Sequence, residues 1–223
     1  MKADTRKALG RACRWGAVVL LGIGYSVLSH MAAASASPGM PEALVAIIPL
    51  LGLAFVMAWR SLQRTLMLAL CLAACAVLYG ISGWLIAHYH WVFLLQHAGI
   101  YALLCGAFGR TLQAGRIPMI AGFARIVHGS LSPAQISYTR AVTWAWTLYF
   151  GGTSVLSMLL FWLAPVSVWS AFANLLGGPL LVLMFAGEYA VRCYVLPAAD
   201  RAGPIESIRA YRQARSARAA RQP

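Results

Sequence analysis

AVTWAWTLYFGGTSVLSMLLFWLAPVSVWSAFANLLGGPLLVLMFAG, residues 141–187, carries no formally charged side chain. A helix rises about 1.5 Å per residue and crosses a hydrocarbon core of about 30 Å in roughly 20 residues, so this stretch is twice what one crossing needs. It reads as a helical hairpin in a bilayer, broken at Ala164, Pro165, Val166 and Ser167, where proline disfavours a continuing helix. Working outward, residues 65–109 form a second uncharged stretch of double length, with its break at His88, Tyr89 and His90. Two shorter stretches, 15–41 and 43–59, each hold one crossing. The fold class that follows is all-α, a polytopic integral membrane protein. Its six transmembrane helices are placed at about 15–34, 42–59, 65–87, 91–109, 141–163 and 168–191.

Composition agrees with that reading and excludes much chemistry. Of 223 residues, 61% are hydrophobic and 10% charged, whereas soluble domains average about 25% charged. With five acidic residues in all, and Lys2 and Lys7 as the only lysines, schemes that need several carboxylates or a phosphate-gripping lysine have little to draw on. Hydrolase, kinase and nucleotidyl-transfer chemistries are disfavoured.

Basic residues near span ends are retained on the cytoplasmic side, so their distribution sets orientation. On the six-span reading all 18 fall on one face. They occupy a basic tail over residues 1–14, the 60–64 connection, the 110–140 connection and a second tail over 192–223. Both termini are therefore expected in the cytoplasm. Trp15, Trp59, Trp84, Trp91, Trp162 and Trp169 stand at span ends, as interfacial belts require. A rival reading takes residues 1–36 as a signal peptide, with Ala34, Ser35 and Ala36 before the cleavage point. No cysteine falls in an outer loop, so no structural disulfide is expected. Small residues that let helices approach suggest packing seams at Ala98, Ala102 and Gly106, at Ala69 and Ala73, and at Gly151, Gly152, Ser154 and Ser157.

The 110–140 connection reads as an interfacial segment. Pro118 starts a helix whose Ile117, Ile120, Phe123 or Ala124, and Val127 recur at helical spacing opposite Arg116 and Arg125, ending at Gly129. Ser132 then caps a helix with Pro133 at its first position, running into the fifth span.

Four short strings, Gly109-Arg110-Thr111-Leu112, Val127-His128-Gly129, Tyr138-Thr139-Arg140 and Phe185-Ala186-Gly187-Glu188-Tyr189, together with their spacing, carry a family resemblance over about Gly109 to Arg192. This half of the chain resembles a family of bacterial inner-membrane proteins associated with aryl-polyene and xanthomonadin-like pigment gene clusters, beside acyl carrier proteins and fatty-acid-type enzymes. The chain departs from that pattern after Tyr189, where Arg192, Cys193 and Tyr194 replace a longer basic run. The resemblance implies a pathway, not a reaction.

Enzyme signatures are missing from the sequence: no histidine is followed by Asp at the fifth position, no glycine-rich stretch ends in Lys-Ser or Lys-Thr, and a condensing enzyme needs a large soluble fold. Polar groups within the spans are the remaining chemical candidates, because burying them is unfavourable. His97, near Gln96, is the weak catalytic candidate; Asn174, His30, His88 and His90 lie at a similar outer level, yet each is explained by hydrogen bonding, and neither a metal nor another cofactor is expected. Glu188 and Arg192, four apart, read as a structural ion pair. Arg209, Arg212, Arg215 and Arg218 recur every three residues and, with Arg116 and Arg125, make a basic cytoplasmic face. The partners expected there are anionic lipid and an acidic acyl carrier protein.

The function expected is that of an accessory component of acyl or aryl-polyene-type assembly at the inner membrane. Two other classes stay open: an intramembrane acyltransferase using His97, and a lipid or pigment translocator component.

Overall fold

The structure, a computed structural model, describes residues 2–35 and 39–197. Arg209, Arg212, Arg215 and Arg218 lie outside the described residues, as does most of the expected basic tail. Among the described residues every regular element is helical. The helices are α1 (Lys2–Ala33), α2 (Met40–Trp59), α3 (Arg64–Gly80), α4 (Ser82–Ala87), α5 (Tyr89–Thr111), α6 (Met119–His128), α7 (Pro133–Leu163) and α8 (Val166–Ser170). A π-helical stretch, Ala171–Leu176, follows α8 and leads into α9 (Gly177–Val195).

Among the described residues five segments are long and apolar enough to cross a membrane: Ala12–Ala33, Met40–Trp59, Tyr89–Thr111, Pro133–Leu163 and Val166–Val195. The expected third span, 65–87, is not one such helix. α3 ends at Gly80, Ile81 leaves the helical region at φ −99°, ψ 15°, and α4 adds one short piece. Gly80 and Gly83 flank the break, and glycine is among the weakest helix formers. Boundaries elsewhere move outward. α1 is helical from Lys2, through the expected tail, and the last segment extends past 191 to Val195.

The described residues pack as two units, 2–35 and 39–97 with 157–178, and 98–156 with 179–197. In the first, α2 lies against α3 and α1, and α1 against α8 and the π-helical stretch. The contacts are made by small side chains, Ala32, Ala33, Ala43, Ala46 and Ala58 all being buried, which is how helices associate when lipid is as apolar as their own surface. Interhelical hydrogen bonds add to this. The Tyr89 hydroxyl donates to the Ser35 carbonyl at 2.9 Å and the Gln96 amide to the Ala46 carbonyl at 2.6 Å. α2 begins with Pro41 in its first turn while the Glu42 carboxylate accepts from the Gly39 N–H at 2.9 Å. Pro49 lies inside α2 without ending it, as transmembrane helices allow.

The second unit is built on aromatics. Tyr138, Val142, Trp146, Phe150 and Leu196 form its buried core, with Tyr101, Phe108, Ile120 and Met184 packed around them. Trp146 meets Phe185 at 4.7 Å between ring centroids and Phe150 at 5.4 Å. The seam expected at Ala98, Ala102 and Gly106 is corrected: Ala98 is buried, but Ala102 and Gly106 are exposed, and Tyr101, Cys105 and Phe108 carry the contact instead. Large rings fill the interhelical space here, so the small residues turn outward. On α3, Ala69 and Ala73 are likewise exposed. Gly151 does mark a close approach, since a Cβ there would stand 3.1 Å from Cys105 Sγ.

α7 begins as its sequence implies. Ser132 N–H donates to Gln135 Oε1 at 2.9 Å and Gln135 N–H to Ser132 Oγ at 3.2 Å, a reciprocal capping pair with Pro133 at the first helical position. α6 starts after Pro118 and stops at Gly129, whose φ of 73° favours glycine. Among the residues of α6 whose side chains are described, Ala121 is buried and Ile120 and Ala124 are partly buried, while Phe123 and Arg125, like Ile117 and Arg116 just before the helix, are exposed.

Candidate functional site

Polar side chains gather in two places, one in each unit. In the first unit the gathering point is Ser157, near the C-terminal end of α7 and wholly buried. The Trp169 indole N–H, also wholly buried, donates to Ser157 Oγ at 3.0 Å, and His97 Nδ1 lies 2.9 Å from the same oxygen. Phe172 meets the His97 ring edge-on, 5.7 Å between centroids. Ser157 Oγ thus accepts from the indole and shares a second hydrogen bond with the imidazole, whose direction follows the His97 tautomer. The three side chains are thereby locked to one another.

Next to Trp169 in sequence, Ser170 forms a second set of bonds. His30 Nδ1 stands 2.9 Å from Ser170 Oγ, which donates to the His30 carbonyl at 3.2 Å and accepts from the Asn174 amide at 3.2 Å. Asn174 also reaches the Ser170 carbonyl at 3.2 Å. These residues lie in and beside the π-helical stretch, a geometry that widens the helix by one residue per turn and recurs at functional sites.

Of the outer-level residues picked from the sequence, the structure therefore gives His97 and His30 separate serine partners. His88 turns back to the Trp84 carbonyl at 3.0 Å and stacks on the Trp84 ring, and the His90 ring meets Tyr89. Among the described residues no three His, Cys, Asp or Glu side chains come together in a metal-binding group. The cysteines Cys13, Cys71, Cys75, Cys105 and Cys193 are free thiols.

In the second unit Glu188 and Arg192 pair along α9. Arg192 Nη2 donates to Glu188 Oε1 at 2.8 Å and Oε2 at 2.9 Å, and Nε donates to Oε1 at 3.0 Å, with side-chain exposures of 24% for Arg192 and 9% for Glu188. Tyr138 of α7 joins them, its hydroxyl 2.7 Å from Glu188 Oε1 and 3.1 Å from the Glu188 carbonyl. Beside this cluster a groove of about 870 Å³ runs between α7 and α9, floored by small side chains such as Ala134, Ala141, Ala145 and Gly187, and lined by Leu183 and Met184. Arg116 and Arg125 are exposed; Arg140 donates to the Leu112 carbonyl at 3.1 Å, fixing the end of α5 to α7.

Several of these roles lie outside the sequence reading. In the sequence Ser157 stands out only as a small packing residue, and Trp169 only as an interfacial ring. The buried Gln135, Thr139, Thr143 and Thr147 recur every four residues on α7, where the threonine hydroxyls donate to carbonyls one turn back at 2.7–2.8 Å. That spacing was legible, and a polar stripe on an apolar helix is the signal that marks a buried face. No protein-family model, curated protein or solved structure matches the chain.

Proposed function

We propose that the chain is an accessory protein of acyl or aryl-polyene-type assembly in a bacterial inner membrane, receiving an acidic acyl carrier protein at its cytoplasmic face. On this reading α3 and α4 together make a sixth crossing and both termini are cytoplasmic, the arrangement under which all 18 basic residues share one side. The observation that carries the proposal is the exposure of Arg116 and Arg125 on the α5–α7 connection, free to meet an acidic surface that electrostatic steering would bring in. The resemblance over Gly109 to Arg192 supplies the pathway.

Binding of an acyl carrier protein to the full chain in neutral detergent at low salt tests it. Replacing Arg116, Arg125, Arg209, Arg212, Arg215 and Arg218 by Gln should weaken binding at least tenfold. Unchanged binding, or none by the parent protein, would remove the carrier role. Reporter fusions after Arg64 and Arg116 should read cytoplasmic and those near Tyr89 and Val166 external, and an external reading at Arg116 would overturn the six-crossing arrangement.

A second reading, an intramembrane acyltransferase, draws on the 2.9 Å contact between His97 Nδ1 and Ser157 Oγ, the pairing by which a base activates a hydroxyl nucleophile. Ser157 is wholly enclosed and also holds Trp169, so acyl transfer there would require these helices to part. The accessory role needs no such opening and is preferred. In cells carrying His97→Ala, loss of product with normal protein level would reverse that preference.

A further inference from the structure

We propose that α6 lies half-submerged on the bilayer, with Met119, Phe123 and Ile126 entering the boundary between headgroups and acyl chains, so that a lipid surface is the partner of the side the protein leaves uncovered. Depth, the division of the helix surface and charge each lead there. Depth is set by the two hydroxyls that hold the first turn. The Met119 N–H donates to Thr111 Oγ1 at 2.9 Å and the Ile120 N–H to Thr143 Oγ1 at 3.3 Å. Thr111 follows Arg110, which closes the uncharged stretch 65–109, and Thr143 lies three residues past Arg140, which precedes the uncharged stretch 141–187. At about 1.5 Å per residue, both anchors stand within about 5 Å of the level at which charge begins on α5 and α7. That level is the membrane interface. Trp144, beside Thr143, is 49% exposed, and tryptophan is enriched at this depth.

Around its axis α6 has three sides. Successive residues turn by about 100°, which places Ile120, Ala124 and Ala121 within one arc of about 100°. These are the buried and partly buried positions, and Ile120 packs on the aromatic core of the unit. Met119, Phe123 and Ile126 share a second arc of about 60°. All three are apolar and none is fully covered by protein, with Phe123 49% exposed. Gly122 and Arg125 share the third side, where Arg125 is exposed and a Cβ built on Gly122 meets nothing within 4 Å. A helix resting against a transmembrane bundle at the interface has three neighbours, protein, lipid and water, and an apolar side at this depth sinks about 5–10 Å into the boundary. The apolar stripe read from the sequence is thus divided, Ile120 turning to protein and Phe123 to lipid.

Charge selects lipid over a second copy of the chain. The connection 110–140 carries Arg110, Arg116, Arg125 and Arg140 and no Asp or Glu. A second copy docked on the same side would bring the same cations against these, whereas a headgroup layer attracts them. With the Phe123 side in lipid, Arg125 points to water, where an acidic protein can reach it.

The test is site-directed spin labelling of the full chain in vesicles of phosphatidylcholine and phosphatidylglycerol. In a background with Cys13, Cys71, Cys75, Cys105 and Cys193 replaced by Ala, single labelling sites are introduced by Met119→Cys, Phe123→Cys, Ile126→Cys, Gly122→Cys and Arg125→Cys. Collision of each label with oxygen, which concentrates among acyl chains, and with a water-soluble nickel chelate reads its depth. The oxygen-to-nickel ratio should be at least about threefold higher at positions 119, 123 and 126 than at 122 and 125. Equal ratios, or labels at 119, 123 and 126 that meet neither probe because protein covers them, would overturn the proposal. The unaltered chain gives a second readout that does not depend on the cysteine-free background folding. A phosphatidylcholine with a diazirine near the ester end of its acyl chain, irradiated in the vesicles, should leave adducts on the tryptic peptide 117–125, between Arg116 and Arg125. Adducts on the spans without any on that peptide would equally overturn it. The inference rests on the membrane placement; carrier protein takes no part in either readout, so its failure leaves the carrier role standing.

Discussion

The bond from Tyr138 to Glu188 joins α7 to α9, and its loss can be given a size. Hydrogen bonds between transmembrane helices average about 0.6 kcal/mol with a maximum near 1.7, and an ionised acceptor roughly doubles an ordinary bond, so Tyr138→Phe should destabilise by about 1–2 kcal/mol. Glu188→Gln leaves Arg192 with no carboxylate. A fully buried pair broken this way loses 3–5 kcal/mol, but with Arg192 at 24% exposure solvent recovers part of that, and about 2 kcal/mol is expected. The two effects should not add. Once residue 188 is neutral, the Tyr138 hydroxyl faces an uncharged acceptor and its removal should destabilise by only about 0.5–1 kcal/mol. The assay is reversible unfolding in mixed micelles of mild detergent and dodecyl sulfate, followed by tryptophan fluorescence and circular dichroism, on the parent, both single variants and the double variant. A coupling energy of about 1 kcal/mol is the expected result. Additivity within about 0.3 kcal/mol would refute the claim that tyrosine, carboxylate and guanidinium act as one unit.

Three further outcomes follow from other contacts. Ser157→Ala strands the wholly buried Trp169 N–H and should destabilise by about 1–3 kcal/mol in the same unfolding assay, whereas Ser137→Ala, at an exposed position, should change stability by less than about 0.5 kcal/mol. Thr143→Val removes the acceptor for the Ile120 N–H, so amide exchange at the start of α6 should quicken by about tenfold or more; unchanged protection would show that the bond does not hold α6. Gly129→Ala places a side chain at φ 73° and should destabilise by about 1 kcal/mol, while Gly122→Ala within α6 should be neutral or stabilising, and equal effects would remove the capping role given to Gly129.

Much of the helical layout was legible in the chain because bilayer chemistry acts on composition alone. Uncharged runs of sufficient length predict crossings without reference to any neighbour. Local chemistry was equally open: Ser132, Pro133 and Gln135 specify the start of α7, and Gly129 specifies the end of α6, through bonds within a few residues. Glu188 and Arg192 pair across one turn of one helix for the same reason.

What depends on distant partners was not legible. The seam on α5 shifts from Ala102 and Gly106 to Tyr101, Cys105 and Phe108 because rings on α7 occupy the space that small residues would otherwise close. His97 and Ser157 are sixty positions apart and His30 and Ser170 one hundred and forty, and no periodicity links them. The first amides of α6 are satisfied from elsewhere, Met119 by the Thr111 hydroxyl at 2.9 Å and Ile120 by the Thr143 hydroxyl at 3.3 Å. Length and charge by themselves determined a multi-helix membrane chain with capped local elements. Only tertiary structure decided which buried polar groups face one another, because a hydrogen bond depends on positions in space to within a few tenths of an ångström, and hydropathy is indifferent to them.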